Sequence, residues 1–170
     1  SLLAGKGVDL LIDALKDVLS TGTDCHFVLI GYPKEWLEAA VVEAGLTDRA
    51  TLPGAVAYTT LADWLGCADL AVDPKPAGSG EASGKILHYM ASGLAVVCFD
   101  TENNRQFLDG DAFYASESSA VGLAETISLA LTDEETRRKY GASCRTRSRE
   151  RFSIGSVGAQ LHHIYQQFEQ

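Results

Sequence analysis

The sequence is poor in cations, in sulfur motifs and in long apolar runs, and each shortage excludes something. Fourteen Lys and Arg stand against twenty-three Asp and Glu, a formal net charge of −9. Long-range attraction to a nucleic-acid backbone or to anionic lipid is therefore unfavourable. The longest basic cluster, Arg145 to Arg151, is broken by Thr146, Ser148 and Glu150 and reads as the solvated face of a helix. Cys25, Cys67, Cys98 and Cys144 form no Cys-x-x-Cys pair, so neither a zinc site nor a disulfide framework is indicated. They read as small core residues in a reducing compartment, and the expected location is cytoplasmic. No apolar run approaches the ~20 residues of a membrane span. The opening Ser1-Leu2-Leu3-Ala4-Gly5 is too short for a signal h-region.

Two nucleotide-binding signatures are also missing. Gly84-Lys85 follows a strand and opens a helix, as in a P-loop, but Ser79 stands where the first glycine belongs and Ile86 where a magnesium-holding hydroxyl is needed. Gly31-Tyr32-Pro33 offers one glycine and no Gly-x-Gly-x-x-Gly. Triphosphate hydrolysis and a dinucleotide fingerprint are both excluded on spacing.

What is present is the material of one compact domain over residues 1–170, with 46% hydrophobic and 22% charged residues. A folded chain of this length buries roughly 70% of its unfolded surface without any staple. Val8, Leu11, Ile12, Leu15, Val18 and Leu19 recur at helical spacing, and the apolar run His26 to Ile30 follows. The alternation continues with a helix from Trp36 to Ala44, a weak strand at Ala50 to Leu52 and a helix from Thr60 to Gly66. A strand at Asp69 to Asp73, a helix ending at Ser92-Gly93, and strands at Ala95 to Phe99 and Ala112 to Tyr114 complete it. Continuous apolar strands separated by single helices predict an α/β fold with a doubly wound, Rossmann-like parallel sheet. After Ser116 the pattern is helical only: Val121 to Leu131, Glu134 to Arg149 behind Asp133, then an apolar stripe from Ile154 to Phe168 behind Ser153.

In open α/β sheets ligands sit at the carboxyl ends of strands, here the loops after Ile30, Leu52, Val72 and Phe99. The loop from Asp73 to Lys85 is rich in glycine and runs directly into a helix. Such a helix start presents unpaired N–H donors and favours an anion. Lys85 in its first turn opposes the helix dipole, which a bound anion would offset. Lys6, between Gly5 and Gly7 at the start of the first helix, repeats the pattern. A solvated lysine at a frayed end is the plainer reading of each. Trp36, Trp64 and Tyr58 are available either to stack on a base or to fill the core. Asn103, Asn104 and Arg105 follow a strand on the same edge.

Several segments resemble one family. Gly5-Lys6-Gly7 through Leu15, Phe27 through Pro33, Leu52-Pro53-Gly54, Ala68 through Pro74, and Ser83 through Gly93 followed by Ala95-Val96-Val97 look like the C-terminal, donor-binding half of GT-B fold glycosyltransferases, specifically glycosyltransferase family 4. The tail, with Asp133-Glu134-Glu135, Arg137-Arg138, Tyr140-Gly141 and Arg151-Phe152-Ser153, is similar to that family's closing helices.

The resemblance implies a nucleotide-sugar donor held between two Rossmann-like domains and a sugar transferred with retention of configuration, without a cofactor or bound metal. Only one such domain is expected here. The implied partners are the nucleotide-diphosphate sugar and the absent N-terminal acceptor domain, with no nucleic acid and no membrane contact from this part; any membrane association is assigned to the absent half. Lys6 matches the family's diphosphate-holding Lys, while the partner Arg has no match. Gly31 and Tyr32 would pass close to the ribose and phosphate, and backbone groups near Ala55 and Val56 would face the base.

The family's two glutamates are where this chain departs. Registered on Tyr89-Met90-Ala91, the second becomes His88 and the first becomes Gly80, with Glu81 one place late. Glu81-Ala82-Ser83-Gly84 resembles the family's Glu-x-x-Gly, so Glu81 takes the first role if the loop is one residue longer. His88 can bond a ribose hydroxyl through either ring nitrogen but lacks a carboxylate's double acceptance. Three readings of it stay open: ribose contact, helix residue without a ligand role, and pH-responsive phosphate contact. The implied catalytic set is Lys6, Lys85 and Glu81, with Gly31, Tyr32, Ala55, Val56, Gly80, Ser83, Gly84 and His88 binding donor. A nucleotide-sugar 2-epimerase-like enzyme and a degenerate, non-catalytic Rossmann-like module are the alternatives.

Overall fold

A computed structural model describes residues 6–76 and 83–168. Helices and strands alternate as α1 (Val8–Ser20), β1 (Phe27–Ile30), α2 (Lys34–Glu43), β2 (Ala50–Gly54), α3 (Leu61–Gly66), β3 (Ala71–Asp73), α4 (Lys85–Ser92) and β4 (Val96–Phe99). The chain continues through α5 (Glu102–Leu108), β5 (Phe113–Ala115), α6 (Ala120–Thr132), α7 (Glu134–Arg151) and α8 (Ile154–Gln166). Every strand pair is parallel: β1 with β2, β3 with β4, and β4 with β5. The expected sheet is thus present as two parallel ladders, which are not hydrogen-bonded to each other among the described residues.

The apolar run that forms β4 explains the layering. Val97 and Phe99 join a core with Leu11, Leu15 and Val18 of α1 and Leu123 and Ile127 of α6. Val96 and Cys98 point the other way, into a second core with Ile86 and Met90 of α4, Leu108 of α5 and Cys144 of α7. Successive strand residues face opposite sides, so a strand buried on both must be apolar throughout. Each large side chain buried here contributes roughly 1.5–3 kcal/mol against leaving it in water. Helices on both faces make the fold doubly wound.

Glycines set two of the junctions. Gly93, at φ +77°, ends α4; its N–H bonds the Met90 carbonyl and the Leu94 N–H bonds the Tyr89 carbonyl, both at 3.0 Å. This is a Schellman end, which a left-handed glycine makes without strain. Over it crosses α7, whose Gly141 is so close that an added Cβ would lie 2.2 Å from the Gly93 carbonyl oxygen.

One sequence expectation needs correction. Asn103, Asn104 and Arg105 lie on helix α5 rather than in a ligand-facing loop. Thr101 caps that helix by accepting from the Asn104 N–H at 3.2 Å, and the buried Asn104 amide donates to the Phe99 carbonyl at 2.9 Å. Arg105 forms a two-pronged pair with Asp100 at 2.7 and 2.8 Å and lies 3.9 Å over the Tyr114 ring. The sequence does not display this helix because its polar residues carry no apolar period. α8 follows at the C-terminal end of the described residues. Ser153 caps it as expected, accepting from the Ser156 N–H, and Ile154, Leu161, Tyr165 and Phe168 of its apolar stripe are exposed.

Candidate functional site

Lys6 precedes Gly7, which caps α1 at φ +79°. A Cβ on Gly7 would lie 1.8 Å from the Pro74 carbonyl oxygen and 3.2 Å from Pro76 Cδ. The start of α1 therefore rests by backbone contact on the segment leaving β3. Only a residue without a side chain allows both this approach and this φ.

β3 ends at Asp73, whose side chain is fully buried. Lys85 Nζ lies 2.9 Å from Asp73 Oδ1, and the Lys85 side chain remains 38% exposed. Neither Asp73 carboxylate oxygen has a partner of hydrogen-bonding geometry, so the contact with Lys85 is an ion pair rather than a well-aligned hydrogen bond. The Tyr89 phenol and the Cys98 thiol are both pushed above their ordinary values, first by burial and then by the Asp73 charge. Lys75, two residues past Asp73, is itself 93% buried, being 7% exposed. Burying ammonium and carboxylate groups is costly unless opposite charges accompany them.

Asp73 and Lys85 meet at the start of α4. Ser83 is buried and Gly84 caps the helix with helical backbone angles and no side-chain cap. α1 also lacks one. By contrast α5, α6, α7 and α8 are capped by Thr101, Ser119, Asp133 and Ser153. The first N–H groups of a helix need an acceptor from somewhere. Neither helix start beside Asp73 and Pro74 has a capping side chain; at α4 the Ile86 and Leu87 N–H groups bond the Ser83 and Gly84 carbonyls at 3.0 and 3.2 Å, and the positive end of the helix dipole still favours an anion there.

One turn along α4, His88 falls on the same side as Lys85, because residues three apart are neighbours on a helix. The Tyr58 ring meets His88 edge-to-face, with centroids 5.7 Å apart and planes at 72°. Tyr58 is 77% exposed, so it stacks on His88 and presents the rest of its ring to solvent. At the neighbouring strand ends Gly31 donates its N–H to the Gly54 carbonyl at 2.9 Å, which holds the exits of β1 and β2 together. Tyr32 and Ala55 are exposed there and Val56 is half-buried. Trp36 is partly exposed on α2 and Trp64 half-buried on α3.

The sequence expectations thus fall into three groups. Lys85, Ser83, Gly84 and His88 gather on the first turns of α4, with Lys6 across the Gly7–Pro74 contact. Gly31, Tyr32, Ala55 and Val56 lie at the exits of β1 and β2. Glu81 and Gly80 lie outside the described residues. Lys85 differs from expectation in one respect: the charge that offsets its repulsion by the helix dipole is supplied by Asp73, within the protein. Asp73 and Lys75 do not stand out in the sequence, because a polar residue at a strand exit reads as punctuation; the signal they leave is two opposite charges flanking Pro74 directly after an apolar run. Two surface depressions, one around Arg105, Phe107 and Phe152 and another around Asp69, Leu94 and Arg137, are not lined by Lys6, Lys85 or His88.

Residues 1–133 match the family model described as glycosyl transferases group 1. The chain belongs to that family. Over 170 residues it is 25% identical to an alpha-D-kanosaminyltransferase of Streptomyces kanamyceticus, covering 98% of this chain and 44% of the relative. Among solved structures it matches Anabaena HepE in complex with UDP and glucose at a TM-score of 0.82, with 18% identity, 97% of this chain and 46% of that one covered. It also matches the sucrose-phosphate synthase of Thermosynechococcus elongatus, with a TM-score of 0.78, 22% identity, and 98% and 43% coverage. The fold is that of GT-B glycosyltransferases, in agreement with the motifs. The group 1 chain spans less than half the length of these relatives. No helix among its described residues is long and apolar enough to cross a membrane.

Proposed function

We propose that this chain is the nucleotide-sugar-binding domain of a retaining glycosyltransferase, which moves a sugar from a nucleotide-diphosphate donor to an acceptor hydroxyl. The observation that carries the reading is the convergence of Lys6, Lys85 and two helix starts without side-chain caps at the exit of β3, in a chain of this family. Structures of HepE hold UDP and UDP-glucose, which makes a uridine nucleotide the first candidate.

In this reading the bond between the anomeric carbon and the diphosphate oxygen breaks, and the diphosphate leaves with the bonding electrons. The acceptor oxygen bonds to the same carbon on the same face, and its proton passes to the leaving phosphate oxygen. Charge grows on the diphosphate as the bond breaks, so fixed positive groups there lower the barrier more than they tighten the ground state. Lys6, Lys85 and the positively charged N-terminal end of α4 are assigned to it. They make a metal unnecessary in this scheme.

Gly31 and Tyr32 are assigned to the ribose and phosphate, Ala55 and Val56 to the base, and His88 to the ribose hydroxyls. Glu81 and Gly80 are assigned to the sugar side by the family register alone. The acceptor site and the closure that excludes water are assigned to the remainder of the enzyme. This domain alone is expected to bind donor weakly and to transfer nothing.

The test is a calorimetric titration with UDP, GDP, ADP and dTDP, repeated with Lys6→Ala and Lys85→Ala. One nucleotide should bind saturably, and each substitution should weaken it about tenfold, the effect of losing one charge-assisted contact. Binding that neither substitution alters would move the diphosphate elsewhere and defeat the assignment.

A further inference from the structure

Asp73 has no place in the scheme above, although it is the most deeply buried charged side chain described and lies at the centre of the site. A carboxylate removed from water costs free energy unless something answers its charge. Here Lys85 Nζ answers it at 2.9 Å, yet both carboxylate oxygens lack an aligned hydrogen bond. The pair is therefore a poor stabilising device, since a buried ion pair repays its desolvation only with good geometry and further hydrogen bonds. A hydrophobic pair at the exit of β3 would serve the fold as well.

What the pair does fix is the position of a cation. Lys85 sits in the first turn of α4, where the helix dipole repels it. Its flexible four-carbon stem would otherwise carry the ammonium out into solvent. Asp73 is on a rigid strand paired to β4 through the Asp73 and Cys98 register. It draws the ammonium back over the helix start. The Lys85 side chain keeps 38% of its surface exposed, so part of it remains accessible to an incoming group.

We propose that Asp73 is a positioning residue of the diphosphate site: it anchors the Lys85 ammonium at the start of α4, so that a donor diphosphate meets a cation already in place. The proposal rests on the functional reading above and adds a residue to it. Holding the side chain beforehand removes the ordering cost that the ligand would otherwise meet. Asp73 acts through Lys85 and touches no substrate.

The distinguishing measurement is a double-mutant cycle in the intact protein, using UDP, GDP, ADP and dTDP and their nucleosides as probes. Wild type should bind one diphosphate more tightly than its nucleoside. Lys85→Gln should lower that diphosphate affinity about tenfold and leave nucleoside affinity unchanged. Asp73→Asn should reproduce this loss, and the double variant should be no weaker than Lys85→Gln alone. A fold defect would lower nucleoside and diphosphate affinity together. If Asp73→Asn does not fold, the carboxyl carbon resonance of Asp73 in the wild type serves instead. It should shift when the diphosphate binds, shift less with the nucleoside, and lose its response in Lys85→Gln.

Wild-type affinity in Asp73→Asn, additive losses in the double variant, or an Asp73 resonance indifferent to the diphosphate would overturn the proposal. A wild type for which the phosphates add nothing to affinity would overturn the functional reading, and this proposal with it. The two failures are therefore distinguishable.

Discussion

Gly7 and Pro74 touch through their backbones: a single carbon added to Gly7 would lie 1.8 Å from the Pro74 carbonyl oxygen. This contact joins the start of α1, which Lys6 immediately precedes, to the segment that carries Asp73 and Lys75. It makes two helix starts and one strand exit a single unit. Gly7→Ala should therefore do more than strain a torsion. The φ of +79° costs about 1–2 kcal/mol for an alanine, and displacing α1 from Pro74 adds roughly 1–3 kcal/mol. Gly22→Ala is the control, because Gly22 has φ +81° with nothing within 4 Å. Denaturant titration should show Gly7→Ala losing clearly more stability than Gly22→Ala; equal losses would mean that the contact carries no energy.

The crossing of α7 over the end of α4 depends on Gly141 in the same manner. Gly141→Ala places a methyl 2.2 Å from the Gly93 carbonyl oxygen, and overpacking against backbone is relieved only by moving a helix. A loss of about 1–3 kcal/mol is expected. Gly158→Ala on α8, where nothing lies within 4 Å, should be neutral or slightly stabilising, as a glycine replaced inside an exposed helix. Thermal melts of both variants check this pair.

The ring contact of Tyr58 with His88 separates two roles of the tyrosine. If its ring acts by holding His88 toward the ribose, the hydroxyl is dispensable, since edge-to-face contact needs only the aromatic body. Tyr58→Phe should then bind nucleotide as wild type does. Tyr58→Ala and His88→Ala should weaken binding to a similar degree, within the several-fold range of a lost aromatic pair or hydrogen bond. A loss in Tyr58→Phe would mean that the hydroxyl itself meets the ligand.

The thiols should report on the core and on alkaline stability. Cys67 is exposed, and Cys98 and Cys144 are fully buried. A thiol reagent at pH 8 should modify Cys67 within seconds to minutes and reach Cys98 and Cys144 only on unfolding. Burial, and then the Asp111 charge, push the Cys144 thiol up to about 11 from an ordinary 9.0. The folded state therefore holds this proton more tightly than the unfolded one. Its contribution is complete below pH 9.0 and is lost as pH rises through about 11, so stability should fall across that window. Cys144→Ala should flatten this part of the pH profile; an unchanged slope would assign the alkaline loss to other groups.

Much of the fold was legible in the sequence because a strand buried on both faces has to be apolar throughout. The run from Ala95 to Phe99 announced β4, and the helical spacing from Val8 to Leu19 announced α1. Glycine and the residues that cap helices are equally direct signals: Gly93 ended α4, and Asp133 and Ser153 began α7 and α8 as their types require. The family motifs lie in these same loops and termini: Lys6 and Lys85 stand out by their place at helix starts, and Ser83, Gly84 and His88 are singled out by the family resemblance.

What the sequence could not display is which charges meet. Asp73 and Lys85 are twelve positions apart, and only the parallel pairing of β3 with β4, with α4 packed against them, brings a strand exit under a helix start. Tyr58 and His88 meet for the same reason, since α3 and α4 pack together. Burial decided the rest. Asp73 became a group that must be answered by a cation because tertiary packing removed its water, whereas the stripe from Ile154 to Phe168, apolar enough for a core, stays exposed because nothing described covers it. Local periodicity fixes the elements, but electrostatics depends on solvent exclusion, and that is a property only of the assembled fold.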